Sequence, residues 1–384
     1  MDSDPSFALP NCNVCLGSTD DNYQASNDGR RIGTVLALIG MVGLAGNLLV
    51  LLVYSHLQQR FHSISVYLMA LAVSDFLMIC TAMFLFVLEA WRHHGPMGLA
   101  YAYGVGAPFF FPLASIFQTT SVYFCVGAAI DVFVSVALKG PISESYCTVR
   151  IAQKFVVVTT CLAVLYNIPH FFELRSIDCF ETRDGLNINS LQICPTEFRM
   201  SHVYYSIYYT YMYTVFMAVG PLVLLIVLNI CIVVNVLRRP RDPDSDIVSL
   251  ILVVCMFIFC NFTALLVNFL ELTFAEQLKH VIVYLVDLSN LLVVINCTAN
   301  FFVYLIFGHS FRCTLREICF GKTPPGIGGE MANGGARANL LVMVESEEKS
   351  NGSSNNNGTS KNGTAKCAKG TAKTAIVQII GTEL

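Results

Sequence analysis

The chain has 384 residues, 55% hydrophobic and only 13% charged, with a net charge of −3. A soluble globular chain carries roughly 25% charged residues, so this composition argues against an ordinary soluble domain. It offers no basic tract for nucleic acid, and its 15 cysteines, seven of them inside apolar runs, do not form a disulfide scaffold.

A helix needs roughly 20 apolar residues to cross the hydrocarbon core. Seven runs reach that length: 32–55, 64–90, 107–138, 150–172, 203–237, 247–271 and 279–307. In lipid only helices and closed barrels satisfy their backbone groups. These runs are continuous rather than alternating, so the expected fold class is an all-α membrane protein, a seven-transmembrane helix bundle. It divides into an extracellular N-terminal tail (1–30), the bundle (31–308), a short amphipathic membrane-surface helix (309–320) and a disordered cytoplasmic tail (321–384). The tail 1–30 is polar and lacks an apolar h-region, so no cleaved signal peptide is expected. Lys and Arg bias the short loops toward a cytoplasmic C-terminus, although Arg30 and Arg31 oppose it.

The first helix carries Gly46–Asn47, a small residue that lets helices approach and an amide that can bond across them. The second places Asp75 near mid-membrane, where a carboxylate needs a partner, a proton or a cation. Asn47, Ser121, Asn296 and Asn300 are the polar groups that could join it, either as an oxygen-lined sodium site or as a network that only tightens the bundle. The second helix continues through Glu89 to Trp91. Pro108 and Pro112 are expected at the start of the third helix, where proline is tolerated. Gln118, Thr119, Thr120 and Ser121 form a polar patch, with Gln118 facing a cavity, and Asp131 ends the helix.

The fourth helix ends at Pro169, and residues 173–201 read as a slightly acidic lid. The fifth opens with YYSIYYTYMY (204–213), an interfacial belt or an aromatic wall for a ligand that includes Tyr208. Pro221 is expected to kink or loosen it. The sixth places Asn261 in an apolar setting, and the seventh holds DLSN (287–290) and NCTANFFVY (296–304). Beyond it, Phe311, Leu315 and Ile318 fall at helical spacing with Arg312 and Arg316 between them, the pattern of a membrane-surface helix. Cys313 and Cys319 there are candidates for palmitoylation. Thr382, Glu383 and Leu384 fit a PDZ-type C-terminal ligand.

These features resemble the class A (rhodopsin-like) G-protein-coupled receptors. Asn47 matches the family's Gly-Asn, LAVSD (71–75) its Leu-Ala-x-x-Asp, and Asp131 the acid of its Asp-Arg-Tyr. Pro221 matches the fifth-helix proline, Phe257 and Cys260 the Phe-x-x-Cys, Asn300 and Tyr304 the Asn-Pro-x-x-Tyr, and Phe307 and Phe311 the eighth helix. NIPHFFE (167–173), the loop 179–197, residues 208–229, the Cys260–Asn261 pair and NFFVY (300–304) look like the narrower group of invertebrate FMRFamide-type neuropeptide receptors.

The resemblance implies a plasma-membrane receptor for a short amidated peptide with an Arg near its C-terminus. Its partners would be a heterotrimeric G protein, and arrestin. An Arg guanidinium wants a carboxylate; Glu89, Glu271 and Asp287 are the candidates at helix ends, with Asn290 beside them and Gln118 deeper. Val132 and Phe133 stand where the family has Arg and Tyr, which implies that Asp131 lacks its usual partner. It also supports a second reading, a peptide-binding protein that couples weakly. Asn229 replaces a Tyr. The family's third-helix cysteine falls near Ala107, so Cys179 and Cys194 are left to pair within the loop or with Cys12 or Cys15. Enzyme activity is not expected: no nucleophile–base pair, phosphate loop or metal-spaced set appears.

Overall fold

The computed structural model describes residues 9–12, 15, 27–56, 62–92, 96–138, 141–183, 186–238, 245–274 and 279–320. Residues 321–384, with the expected disordered tail and PDZ ligand, lie outside the described residues, as does the side chain of Glu271. Among the described residues seven helices are long and apolar enough to cross a membrane, numbered here as first to seventh span: Gly29–Ser55, Ser63–Arg92, Gly98–Ala137, Val149–Phe172, Thr214–Leu237, Ile247–Val267 and Tyr284–Phe307. The amphipathic helix is His309–Phe320.

The first helix begins at Asn27, before the expected boundary. The third begins earlier still, at Met97, so Pro108 and Pro112 lie inside a helix of 41 residues rather than at its start. The small and apolar residues 97–107 extend the helix beyond the most hydrophobic stretch. The aromatic run of the fifth helix is wound as π-helix over Tyr205–Met212 and again over Thr214–Val219 before α-helix resumes at Gly220–Leu237. Pro221 stands where the winding changes from π to α, and its missing N–H leaves a carbonyl of the preceding turn without a helical donor.

The segment expected as a lid is a β-hairpin. Strand β1, Leu174–Arg183, pairs antiparallel with β2, Leu186–Pro195, from Leu174 opposite Pro195 to Arg183 opposite Leu186. Residues 9–12 and 15 of the N-terminal segment are joined to the hairpin: Asn11 bridges Phe180 in parallel register, and disulfides join Cys12 to Cys179 and Cys15 to Cys194. Of the two pairings left open, the structure has the one with Cys12 and Cys15 and not the one within the loop.

The bundle core is continuous toward the end opposite the hairpin. There Val53, Leu71, Val132, Ile232, Val253 and Tyr304 bring all spans but the fourth into one apolar cluster, on which Phe311 of the amphipathic helix also packs. Gly46 lets the first and seventh spans approach, since a Cβ there would stand 2.9 Å from Phe301. Ala152, in the fourth span, reaches the same cluster, while that helix otherwise buries few residues.

Candidate functional site

Three sets of polar residues are positioned by this bundle: one at mid-depth, one at the hairpin end and one at the opposite end. At mid-depth, Asp75 is fully buried in the second span. Ser121 Oγ donates to its Oδ1 at 2.8 Å and Asn300 Nδ2 to its Oδ2 at 2.7 Å. The carboxylate therefore joins the second, third and seventh spans. Asn47 donates to the backbone carbonyls of Gly43 and Cys297, both at 2.9 Å. Its own Oδ1 and that of Asn296 are buried without a hydrogen-bond partner among the described residues. Asn296 and Asn300 lie one helical turn apart and so share a face. The structure thus brings two of the residues named for this site, Ser121 and Asn300, onto Asp75, while Asn47 bonds to the seventh span and Asn296 lines the same cavity as Ser121. Hard oxygen donors of this kind suit a small hard cation. A cavity of about 20 Å³ adjoins the network, lined by Gln118, Ser121, Phe257, Cys260, Asn261 and Asn296, enough for about one water.

At the hairpin end the named residues do not converge. Glu89 accepts from the Tyr103 hydroxyl at 2.5 Å and lies 3.7 Å from the Arg92 guanidinium, which stands 5.1 Å over the Tyr103 ring. Asp287 and Asn290 face a second cavity of about 20 Å³ between the first, second and seventh spans, bordered by Gly33, Phe86 and Ala90. Tyr208 is stacked between Tyr204 and Tyr166, and its hydroxyl donates to the Tyr166 carbonyl at 2.8 Å.

Glu173, a residue the sequence reading did not single out, is fully buried here. His170 Nδ1 lies 2.7 Å from its Oε1, the Tyr204 hydroxyl donates to the same oxygen at 2.6 Å, and Arg199 stands 3.6 Å from Oε2. The Glu173 carbonyl accepts from the Thr196 amide at 2.8 Å. One carboxylate therefore joins the end of the fourth span, the base of the hairpin and the start of the fifth helix. The signal in the sequence is the i,i+3 spacing of His170 and Glu173 where the helix gives way to the loop.

At the opposite end Ser63 Oγ donates to Asp131 Oδ2 at 2.8 Å, and the Cys147 thiol donates to the Asp131 backbone carbonyl at 3.5 Å. The expectation of an acid without a partner is corrected: the second span starts at Ser63, close enough to replace the missing arginine. Burial pushes the Cys147 thiol above its ordinary range, and the Asp131 charge adds to the shift. Val132 is buried in the apolar cluster, Phe133 packs at its margin, and Val136, Ile232, Val236, Leu250 and Val253 complete it across the third, fifth and sixth spans. Tyr304 lies edge-on to Tyr54 with ring centroids 5.9 Å apart, and its hydroxyl is buried without a partner among the described residues. Cys313 is half-buried beside His309, and Cys319 is exposed.

Seven spanning helices, a hairpin over one end and a closed apolar cluster at the other define a multi-pass membrane protein built as a seven-helix receptor. The model of the 7 transmembrane receptor (rhodopsin family) matches residues 46–304. The chain belongs to that family, whose members are receptors and not enzymes. It is 43% identical over 302 residues to the probable G-protein coupled receptor frpr-1 of Caenorhabditis elegans, covering 74% of this chain and 78% of that one. It is 28% identical to the FMRFamide receptor of Drosophila melanogaster, covering 84% of this chain and 59% of the relative. It is also 28% identical to the FMRFamide peptide receptor frpr-18 of C. elegans, with 73% and 67% covered.

Proposed function

We propose that this chain is a plasma-membrane receptor for an extracellular amidated peptide of the FMRFamide type and signals to a heterotrimeric G protein. The observation that carries the reading is the similarity, along most of the chain, to two relatives named as FMRFamide receptors. The N-terminus and hairpin face the outside, where disulfides form. The peptide's Arg pairs with a carboxylate at that end, from Glu89, Glu271 or Asp287, while Gln118, Tyr208 and Asn290 complete the contacts. Peptide binding biases the bundle toward an arrangement in which the cluster around Val132 parts and admits the G protein.

The Asp75 network takes an allosteric sodium ion in this reading: Asp75 and Ser121 with the orphaned oxygens of Asn47 and Asn296 supply the donors, and Asn300 orients the carboxylate. Arrestin on the inner face, a PDZ protein at Thr382–Leu384, lipid contacts and palmitoyl groups on Cys313 and Cys319 belong to the same proposal. Val132 favours a second reading, in which the chain binds the peptide and couples weakly.

The test is G-protein activation in cells by a panel of amidated peptides, run on the parent and on Val132→Arg at matched surface expression. A response from the parent supports the first reading. A response from Val132→Arg alone supports the second. Silence from both at good expression counts against the peptide class.

A further inference from the structure

A two-stranded hairpin on its own is marginal in water, so the hairpin over the bundle depends on what its faces touch. Side chains alternate between faces along each strand. The register sets Cys179 opposite Ser190 and Arg175 opposite Cys194, so Cys179 and Cys194 share one face. Ser176 is opposite Ile193 and Asp178 opposite Leu191, so Ser176, Leu191 and Ile193 share the other.

The second face rests on the third span. A Cβ on Gly104 would stand 2.4 Å from Leu191 Cβ, so the strand lies against bare backbone there. Ser176 Oγ donates to the Gly104 carbonyl. That carbonyl is the one Pro108, lacking an N–H, leaves without a helical donor. Ile193 packs on the cluster of Tyr103 and Ala107. Ala107, where the family resemblance puts a cysteine, is buried and offers no bond, so among the described residues this seam rests on packing and the Ser176 hydroxyl.

The other face and the outer edge carry the N-terminal segment. Cys12 donates its amide to the Phe180 carbonyl and the Phe180 amide donates to the Pro10 carbonyl, both at 2.9 Å. The disulfides then reach one cysteine on each strand, and both Cys179 and Cys194 are buried beneath the segment. One bond would leave the hairpin able to pivot; a bond to each strand does not. Through residues 16–26 the same segment is tied to the first span.

We propose that residues 9–12 and Cys15 form a clasp that positions the hairpin on the third span, and that peptide affinity depends on it; the affinity clause rests on the peptide-receptor reading above. Cys12 and Cys15 are positioning residues: they take over, from the opposite face, the restraint that a cysteine at Ala107 would supply.

The experiment uses the full chain with an N-terminal epitope and a thrombin site placed within residues 18–23, between the clasp and the first span. Intact cells are cut with thrombin, with and without a mild reductant, and the uncut chain with reductant serves as control. The tagged fragment should stay with the receptor after cutting and leave only with reductant. Affinity for Phe-Met-Arg-Phe-amide should be unchanged by cutting alone and fall about tenfold or more once the fragment is released. Hydrogen exchange of residues 174–195 in purified receptor should rise about tenfold with release, a readout that needs no peptide. Release without reductant overturns the clasp. Unchanged exchange after release overturns the positioning role, and unchanged affinity in a receptor that binds the peptide overturns its role in binding. An uncut receptor that does not bind the peptide overturns the peptide reading and with it the affinity clause, while fragment retention and exchange still decide the clasp.

Discussion

At the scale of single residues, Asp75 and Asp131 are met by neutral donors. Asp131 takes a hydroxyl from Ser63 in place of an arginine. Ser63→Ala leaves that half-buried carboxylate without its donor, at a cost of about 1–3 kcal/mol. The solubilised receptor should then melt lower by about 2–4 °C per kcal/mol; an unchanged melting curve would show that water serves Asp131 equally well. Cys147 follows from the same neighbourhood. Burial first, then the Asp131 charge, raises its thiol, so at a given pH it holds less thiolate than an unperturbed cysteine. Maleimide should label it slowly at neutral pH, with a rate that climbs only as pH passes the ordinary thiol range. Rapid labelling at pH 7 would contradict this. At mid-depth, Asp75→Asn keeps the shape of the Ser121 and Asn300 contacts and removes the charge. Peptide affinity should lose its sodium dependence, and equal sodium sensitivity in parent and variant would remove the cation site.

At the scale of elements, what was legible in the sequence was what length and apolarity encode. Seven runs appear as seven spans because a membrane-crossing helix must satisfy its backbone within one continuous segment. The extent of the third helix was less legible, because the helix continues past Pro108 and Pro112 where a carbonyl freed by proline finds Ser176, and that hydroxyl lies 72 positions away. The hairpin had a local signal, Asp184–Gly185 between residues of strand character, the dipeptide favoured in two-residue connections. The disulfide partners had only a partial one: Cys12 and Cys15 were among the alternatives, but at 167 and 179 positions apart no local pattern could choose them. Glu173 was hidden for a similar reason, since an acid is buried here only because His170, Tyr204 and Arg199 arrive from two other segments and its own helix end. Glu173→Leu should remove the Glu173 acceptor from the Tyr204 hydroxyl and the buried carboxylate that faces the half-exposed Arg199. The expected loss is about 2–3 kcal/mol, read as a melting point several degrees lower together with reduced surface expression. A variant as stable as the parent would make the cluster incidental to the junction of hairpin and bundle.

At the scale of the whole molecule, the third, fifth and sixth spans meet through Val132, Val136, Ile232, Val236, Leu250 and Val253, an apolar contact. An apolar closure of this kind holds by excluding water, so it is opened by anything that demands water. Leu250 is 4% exposed and contributed by the sixth span. Leu250→Asp places a carboxylate among the apolar side chains of this cluster. The closed arrangement then carries a desolvation cost of several kcal/mol that an open, hydrated cleft does not. Each 1.4 kcal/mol of that difference shifts the two populations about tenfold, and about 5.5 kcal/mol would invert a 1:99 equilibrium. Basal G-protein activation, measured without peptide and normalised to surface number, should therefore rise severalfold in Leu250→Asp. Leu250→Ile, which keeps the volume and the apolar character, should stay at the parent's level. If Leu250→Asp reaches the surface and its basal signal equals the parent's, the cluster is not what separates the closed from the open arrangement.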